Sequence, residues 1–362
     1  MSAPPSPLSR LFARLGQALT RKPPQSPALK TMRKLLVRLA RPLSEAELDA
    51  AVAGPFASLP LPDDDALSAE ERSALLELGA NHLVGLEDPF QAARLACFCG
   101  TLVEGGAPAT LVTTALAERL DLHSQTLCAF LDEVGDDVRE VEPYRPDFPD
   151  EYRTWQGARL LNAAAMTVFC RDLAGRVAAR ERPGFVARIA RIGDRVQNGV
   201  YVDRLFACAD RVRFVLIHPA QARGFVLNAS AVRNNFHLWI LLEDLLYQDG
   251  RLHDPRAGQA ARPRSRLRFF EPYAWHNWPL ALSSEAGSLY GLNSPATLAV
   301  IAGELPVILV APSCENEPWP GAFAVPLHDA HQPQVDVERE LTRAEVDQWL
   351  ERCAAVVGIG AA

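Results

Sequence analysis

The feature that most constrains the fold is a change of hydrophobic period near residue 211. Before it, apolar residues recur every three to four positions, as on helix faces. After it come alternating stretches and short apolar runs, as in strands. From 44 to 208 the helix boundaries are marked. "SEAE" at 44–47 and "SAEE" at 68–71 have the Ser-x-x-Glu form, in which cap and third residue satisfy each other's backbone N–H. The second opens a helix to about Leu78. "DPFQ" at 88–91 puts Asp at the cap and Pro at the first helical position, and that helix stops at Gly105 and Gly106. Another helix runs from about Pro108 to Gly135, with a break expected near Asp121. The proline-rich "EPYRPDFPDEY" then leads into a long helix over about Asp150–Arg180. Its centre, "LLNAAAMTVFC", is apolar nearly all round, which predicts a buried core helix with Ala163 and Ala164 both inside.

Beyond the change, "RVRFVLIHP" and "FVLNAS" flank the turn "AQARG" and predict a hairpin. "NNFHLWILLEDLLYQDG" returns to helical spacing and stops at Gly250. "RLRFFEPY", "PVILVAP" and "GAFAVPL" are further strand candidates, and "TRAE" at 342–345 caps a last helix. The expected fold class is α+β: a mainly helical domain over 44–208, then a smaller mixed α+β domain over 209–357 with a short sheet. No repeat at solenoid periods is present.

Residues 1–43 stand apart. The nine basic groups Arg10, Arg14, Arg21, Lys22, Lys30, Arg33, Lys34, Arg38 and Arg41 precede the first acid, Glu45. The remainder then sets 28 of the 37 basic groups against all 44 acids, a balance of −16. An acidic body repels phosphates, so no nucleic-acid partner is expected for it. The basic segment is twice amphipathic. Leu8, Leu11, Phe12, Leu15 and Leu19 share one helical face, and after "KPPQSP" so do Leu29, Met32, Leu36 and Leu39. Such an arm, free to move on a proline hinge, can lie on an anionic membrane, enter a partner's groove, or dock on the acidic body. Being acid-free and Arg- and Ser-containing, it also fits a cleaved organelle-targeting segment.

Lysine usage excludes much chemistry. Lys22, Lys30 and Lys34 are the only lysines. No P-loop, kinase strand lysine, pyridoxal-phosphate site or Schiff-base aldolase site can be built in residues 35–362. No cofactor motif is found, and "GIG" at 358–360 has no helix after it. Seven scattered cysteines, with no regular spacing, read as reduced thiols in an intracellular protein. No uninterrupted apolar stretch approaches the length of about 18 residues that marks a transmembrane helix, and no secretory h-region is seen. The expected setting is the cytoplasm, with membrane association through the arm.

Three clusters are candidate sites. Cys314 follows the strand candidate "PVILVAP", where α/β proteins place reactive groups, and His328 or His276 could serve as its base in a hydrolase or transferase. His328 and His331 in "LHDAH" are three apart, as in some metal sites, but the flanking prolines and the lack of further ligand spacing favour a surface loop and no metal. Trp275 and Trp278 in "YAWHNWPL" suit a binding surface. The composite expectation is a binding protein rather than an enzyme. It docks on an anionic membrane or a protein partner through Arg10, Arg14, Arg33, Lys34 and Arg38, and the Cys314 enzyme and the targeted protein are the rival readings.

Overall fold

The computed structural model describes residues 26–53, 67–243, 245, 250–252, 279–281, 294–295, 304–310, 328, 330–331 and 333–357. The strand candidates "RLRFFEPY" and "GAFAVPL" lie outside these residues. The architecture is α+β: a helical half followed by a small mixed sheet with helices on its faces.

The helical half contains α1 (Pro27–Leu39), α2 (Glu45–Ala53), α3 (Ala69–Leu83), α4 (Pro89–Glu104), α5 (Thr113–Val134), α6 (Pro149–Arg171), α7 (Leu173–Arg180), α8 (Phe185–Gly193) and α9 (Gly199–Phe206). The capping residues do what their chemistry dictates. Glu71 N–H donates to Ser68 Oγ at 3.2 Å, and Ser68 N–H donates to Glu71 Oε2 at 3.1 Å. The Ser44–Glu47 and Thr342–Glu345 pairs form the same box. Asp88 accepts from Phe90 and Gln91 N–H at 2.9 and 3.2 Å, and its other oxygen takes Leu43 N–H and Arg153. One carboxylate therefore starts α4 and ties it to the chain before α2 and to α6.

At the centre, α4 crosses α6 at close range because small residues meet there. A Cβ on Gly157 would stand 2.9 Å from Ala93 Cβ, and one on Gly100 would stand 3.1 Å from Ala164 Cα. Around this crossing, Phe90, Leu95, Leu161, Val168 and Phe169 are fully buried.

Four expectations need correction here. The long helix stops at Arg171, and Asp172 caps a separate α7 by accepting from Gly175 N–H at 2.9 Å. Ala163 is exposed while Ala164 is buried, so α6 keeps a solvent-facing strip. α5 runs unbroken through Asp121, which is a partner of Arg182 and Arg188 rather than a breaker. α3 continues past Gly79, which lies inside the helix because a Cβ there would stand 2.8 Å from Cys99 Sγ.

The sheet contains β1 (Val212–His218), β2 (Arg223–Ser230), β3 (Pro279–Ala281), β4 (Val307–Val310) and β5 (Gln334–Glu340), in the order β3-β4-β1-β2-β5. β1 and β4 are parallel and the other pairs antiparallel. β1 and β2 form the expected hairpin. The run "FVLI" in β1 is apolar throughout because both sheet faces are covered. Phe214 and Leu216 face α10 (Asn235–Glu243), while Val215 and Ile217 pack with Val346 and Trp349 of α11 (Arg343–Val357). The sequence reading assigns no strand to 334–340, because only Val335 and Val337 carry the alternation on this edge strand.

Candidate functional site

Two places gather chemistry: the outer face of α1 and the seam between the helices and the sheet.

α1 begins at a Ser26 cap, whose Oγ accepts from Leu29 N–H at 3.3 Å, with Pro27 in the first turn. Its apolar stripe is already used. Met32, Leu36 and Leu39 are 2%, 5% and 2% exposed and belong to the helical core, against α3. The opposite face carries Lys30, Arg33, Lys34, Val37 and Arg38, all exposed, with Val37 75% accessible. Spacings of 3, 4, 7 and 8 put them on one side of the cylinder. Among the described residues no ion pair involves Lys30, Arg33, Lys34 or Arg38. Arg41, just beyond the helix, does pair with Glu47 at 2.5 Å. Arg10 and Arg14 lie outside the described residues.

At the seam, Asp210 is the central anion. Arg176 donates to both its carboxylate oxygens at 2.8 and 2.6 Å, and both side chains are almost completely buried. Arg180 and the backbone N–H of Ala231 also donate to Asp210, at 3.4 and 2.9 Å. Ala231 has a φ of 59°, a left-handed conformation that costs free energy for a residue with a Cβ. The Asp210 hydrogen bond helps hold it there.

His328, Ala330 and His331 form a latch held against the helices from the sheet side. Ala330 N–H donates to His328 Nδ1 at 3.0 Å, so the ring proton sits on Nε2, which lies 3.3 Å from Glu104 of α4. Ala330 packs against the helical core. His331 is 2% exposed, and its Nε2 lies 3.7 Å from Cys208 Sγ. His331 is therefore buried rather than on a surface loop, His328 is half-buried, and the i, i+3 spacing aims the two imidazoles at different partners in the helical half.

This Cys–His pair is no nucleophilic centre. Burial first, and the neighbouring Arg176 next, push the His331 imidazole down to about 4. Burial pushes the Cys208 thiol up to about 12. Proton transfer between them would create two buried charges, so both stay neutral. His237 is likewise buried and pushed down to about 3 by burial, then by His331 and Arg233. Among the described residues no group of three or more His, Cys, Asp and Glu could hold a metal ion. Nor is any described helix long and apolar enough to cross a membrane. Cys314, His276, Trp275 and Trp278 lie outside the described residues. Sequence reasoning missed Cys208, Arg176 and Asp210. The one available signal was a buried-looking Arg in the short amphipathic segment "LAGRVAAR".

Comparison of this chain with protein-family models, with curated proteins and with solved structures finds no match in any of the three.

Proposed function

We propose that this protein is a binding module that docks on an acidic protein surface through the outer face of α1. The observation that carries this reading is the unpaired basic stripe. Four like charges at i, i+3, i+4 and i+8 repel along a helix, at a few tenths of a kcal/mol per adjacent pair. Among the described residues no acid pairs with them. An external anionic surface would relieve that repulsion, and exposed Val37 would give it an apolar contact within a charged rim. Adsorption to a bilayer draws much of its strength from burying an apolar helix face. On α1 that face is already packed against α3, which favours a protein partner over insertion for this segment.

The test uses the full chain, with poly-glutamate and phosphatidylserine vesicles as probes. Binding to poly-glutamate that weakens with salt, and that is lost in the Lys30→Glu, Arg33→Glu, Lys34→Glu, Arg38→Glu variant at unchanged melting temperature, supports the reading. Flotation with the vesicles at concentrations where poly-glutamate does not bind would transfer the site to a membrane. Binding to neither would leave the stripe a solvated face. Carbodiimide coupling adds a map, since Lys22, Lys30 and Lys34 are the only lysines through which a partner's carboxylates can be captured.

A further inference from the structure

An anionic surface of the kind α1 could meet is present on the chain itself. Residues 132–151, from the last turn of α5 to the first turn of α6, hold nine acids against two bases, Arg139 and Arg145. Both bases are committed, Arg139 to Asp194 and Arg145 to Glu45, Asp49 and Glu142. Asp132 and Asp136 share Arg191. Glu133, Asp137, Glu140, Asp147 and Asp150 are exposed, and among the described residues no ion pair involves them. Glu133 lies in the last turn of α5, where the helix dipole disfavours an anion. This segment therefore carries the same unrelieved repulsion as the α1 stripe, with the opposite sign.

Within one copy the two surfaces are held by different neighbours. Arg145 ties the acidic segment to α2, while α1 packs on α3, and among the described residues no ion pair joins the segment to α1. Two copies can bring them together. Exposed Pro143 and Pro146 stand among the acids and offer Val37 an apolar contact within a charged rim. Each copy carries −7, so the bodies repel as wholes. At physiological ionic strength the Debye length is about 8 Å, so distant charges are screened while charges in contact still attract.

Building on α1 as the docking face proposed above, we infer that its partner is the 132–151 segment of a second copy of this chain. The two surfaces differ, so the contact is heterologous. Each copy turns α1 toward one neighbour and its acidic segment toward another, and assembly runs head to tail into open chains or a closed ring. Exposed ion pairs contribute little singly, so the association is weak, reversible and salt-sensitive.

The experiment is sedimentation velocity on the full chain at rising concentration. The expected result is a weight-average mass that climbs with concentration at physiological ionic strength and returns to that of the monomer in high salt. Lys30→Glu, Arg33→Glu, Lys34→Glu and Arg38→Glu in one chain abolish the climb, and so do Glu133→Lys, Asp137→Lys and Glu140→Lys in another. An equimolar mixture of these two charge-reversed chains restores it, because each surface again meets its opposite. A readout that needs no variant is carbodiimide coupling in a mixture of ¹⁴N- and ¹⁵N-labelled parent chains. Lys30 or Lys34 of one copy should join Glu133, Asp137 or Glu140 of the other. Three results would each overturn the inference: a monomeric mass at every concentration, association that survives in the Glu133→Lys, Asp137→Lys, Glu140→Lys chain, or lysine couplings confined to single copies. The docking reading stands or falls separately. A parent chain that binds poly-glutamate yet stays monomeric sinks the second copy alone, and one that does neither sinks both.

Discussion

The helical half and the sheet half are both well buried, but they are held by contacts of different range. In the helical half, five of the nine described helices start on a side chain beside them in the chain: Ser26, Ser44, Ser68, Asp88 and Asp172. In the sheet half, β1 is completed by β4, with Val215 opposite Val307, and β2 by β5, with Ala229 opposite Val335. Local signals build the first, and closure of long chain segments builds the second. The seam joins the two through Asp210 and the latch of His328, Ala330 and His331.

The sharpest probe of this contrast is a pair of neighbours on α6. Ala164→Asp puts an unpaired charge against Gly100 and should cost more than about 4 kcal/mol, unfolding the helical half. Ala163→Asp, on the exposed strip, should stay within about 0.5 kcal/mol. Denaturant unfolding of both checks this, and equal effects would mean that α6 is buried all round after all.

Next comes the seam. Asp210→Ala leaves Arg176 charged and buried without its partner, a loss of about 3–5 kcal/mol. Because Asp210 also holds Ala231, the loss should uncouple the halves, and calorimetry should show two transitions where the parent shows one. A single transition shifted down would show that the latch alone keeps them cooperative.

A smaller effect comes from acid. His123, His237 and His331 are pushed down to about 3, 3 and 4 from an ordinary 6.5, in each case chiefly by burial. A depressed histidine stays neutral in the folded state while the unfolded chain takes up a proton near 6.5. Stability is therefore full above about pH 6.5 and falls as pH drops toward 4, by up to about 1.4 kcal/mol per pH unit for each histidine. Between pH 6.5 and 4.5 the paired carboxylates Glu47 and Glu345, held down to about 2, do not contribute. In that window His331→Gln should remove one proton's share of the slope in unfolding free energy. An unchanged slope would mean that His331 is already charged in the native protein.

The smallest effect should be alike in both halves. Ser68→Ala and Thr342→Ala each remove one capping hydrogen bond and should cost about 1 kcal/mol. A much larger loss for Thr342→Ala would show that α11 depends on its cap to cover the sheet.

Much of this was legible in the amino-acid sequence alone: the change from helices to strands near residue 211, the three Ser/Thr-x-x-Glu boxes, the Asp88–Pro89 start, the stop at Gly105 and Gly106, and the β1–β2 hairpin. All of these rest on interactions within a few residues, so local pattern determines them. The basic stripe of α1 was also visible as a charge pattern, but whether its apolar face was free was not. Only packing against α3 decided that, because a helix with an apolar stripe looks the same alone or docked. Gly79 was ambiguous for the same reason: a glycine ends helices and also lets neighbours approach, and the Cys99 sulfur beside it decides between the two. Ala163 and Ala164 are identical in type, and only the direction of α4 separates them. Asp210 with Arg176, and Cys208 with His331, are 34 and 123 residues apart in the chain. No local period carries such pairs. They form only when the two cores close on one another, and that closure, decided by tertiary structure, buried the His331 that the sequence placed on a surface loop.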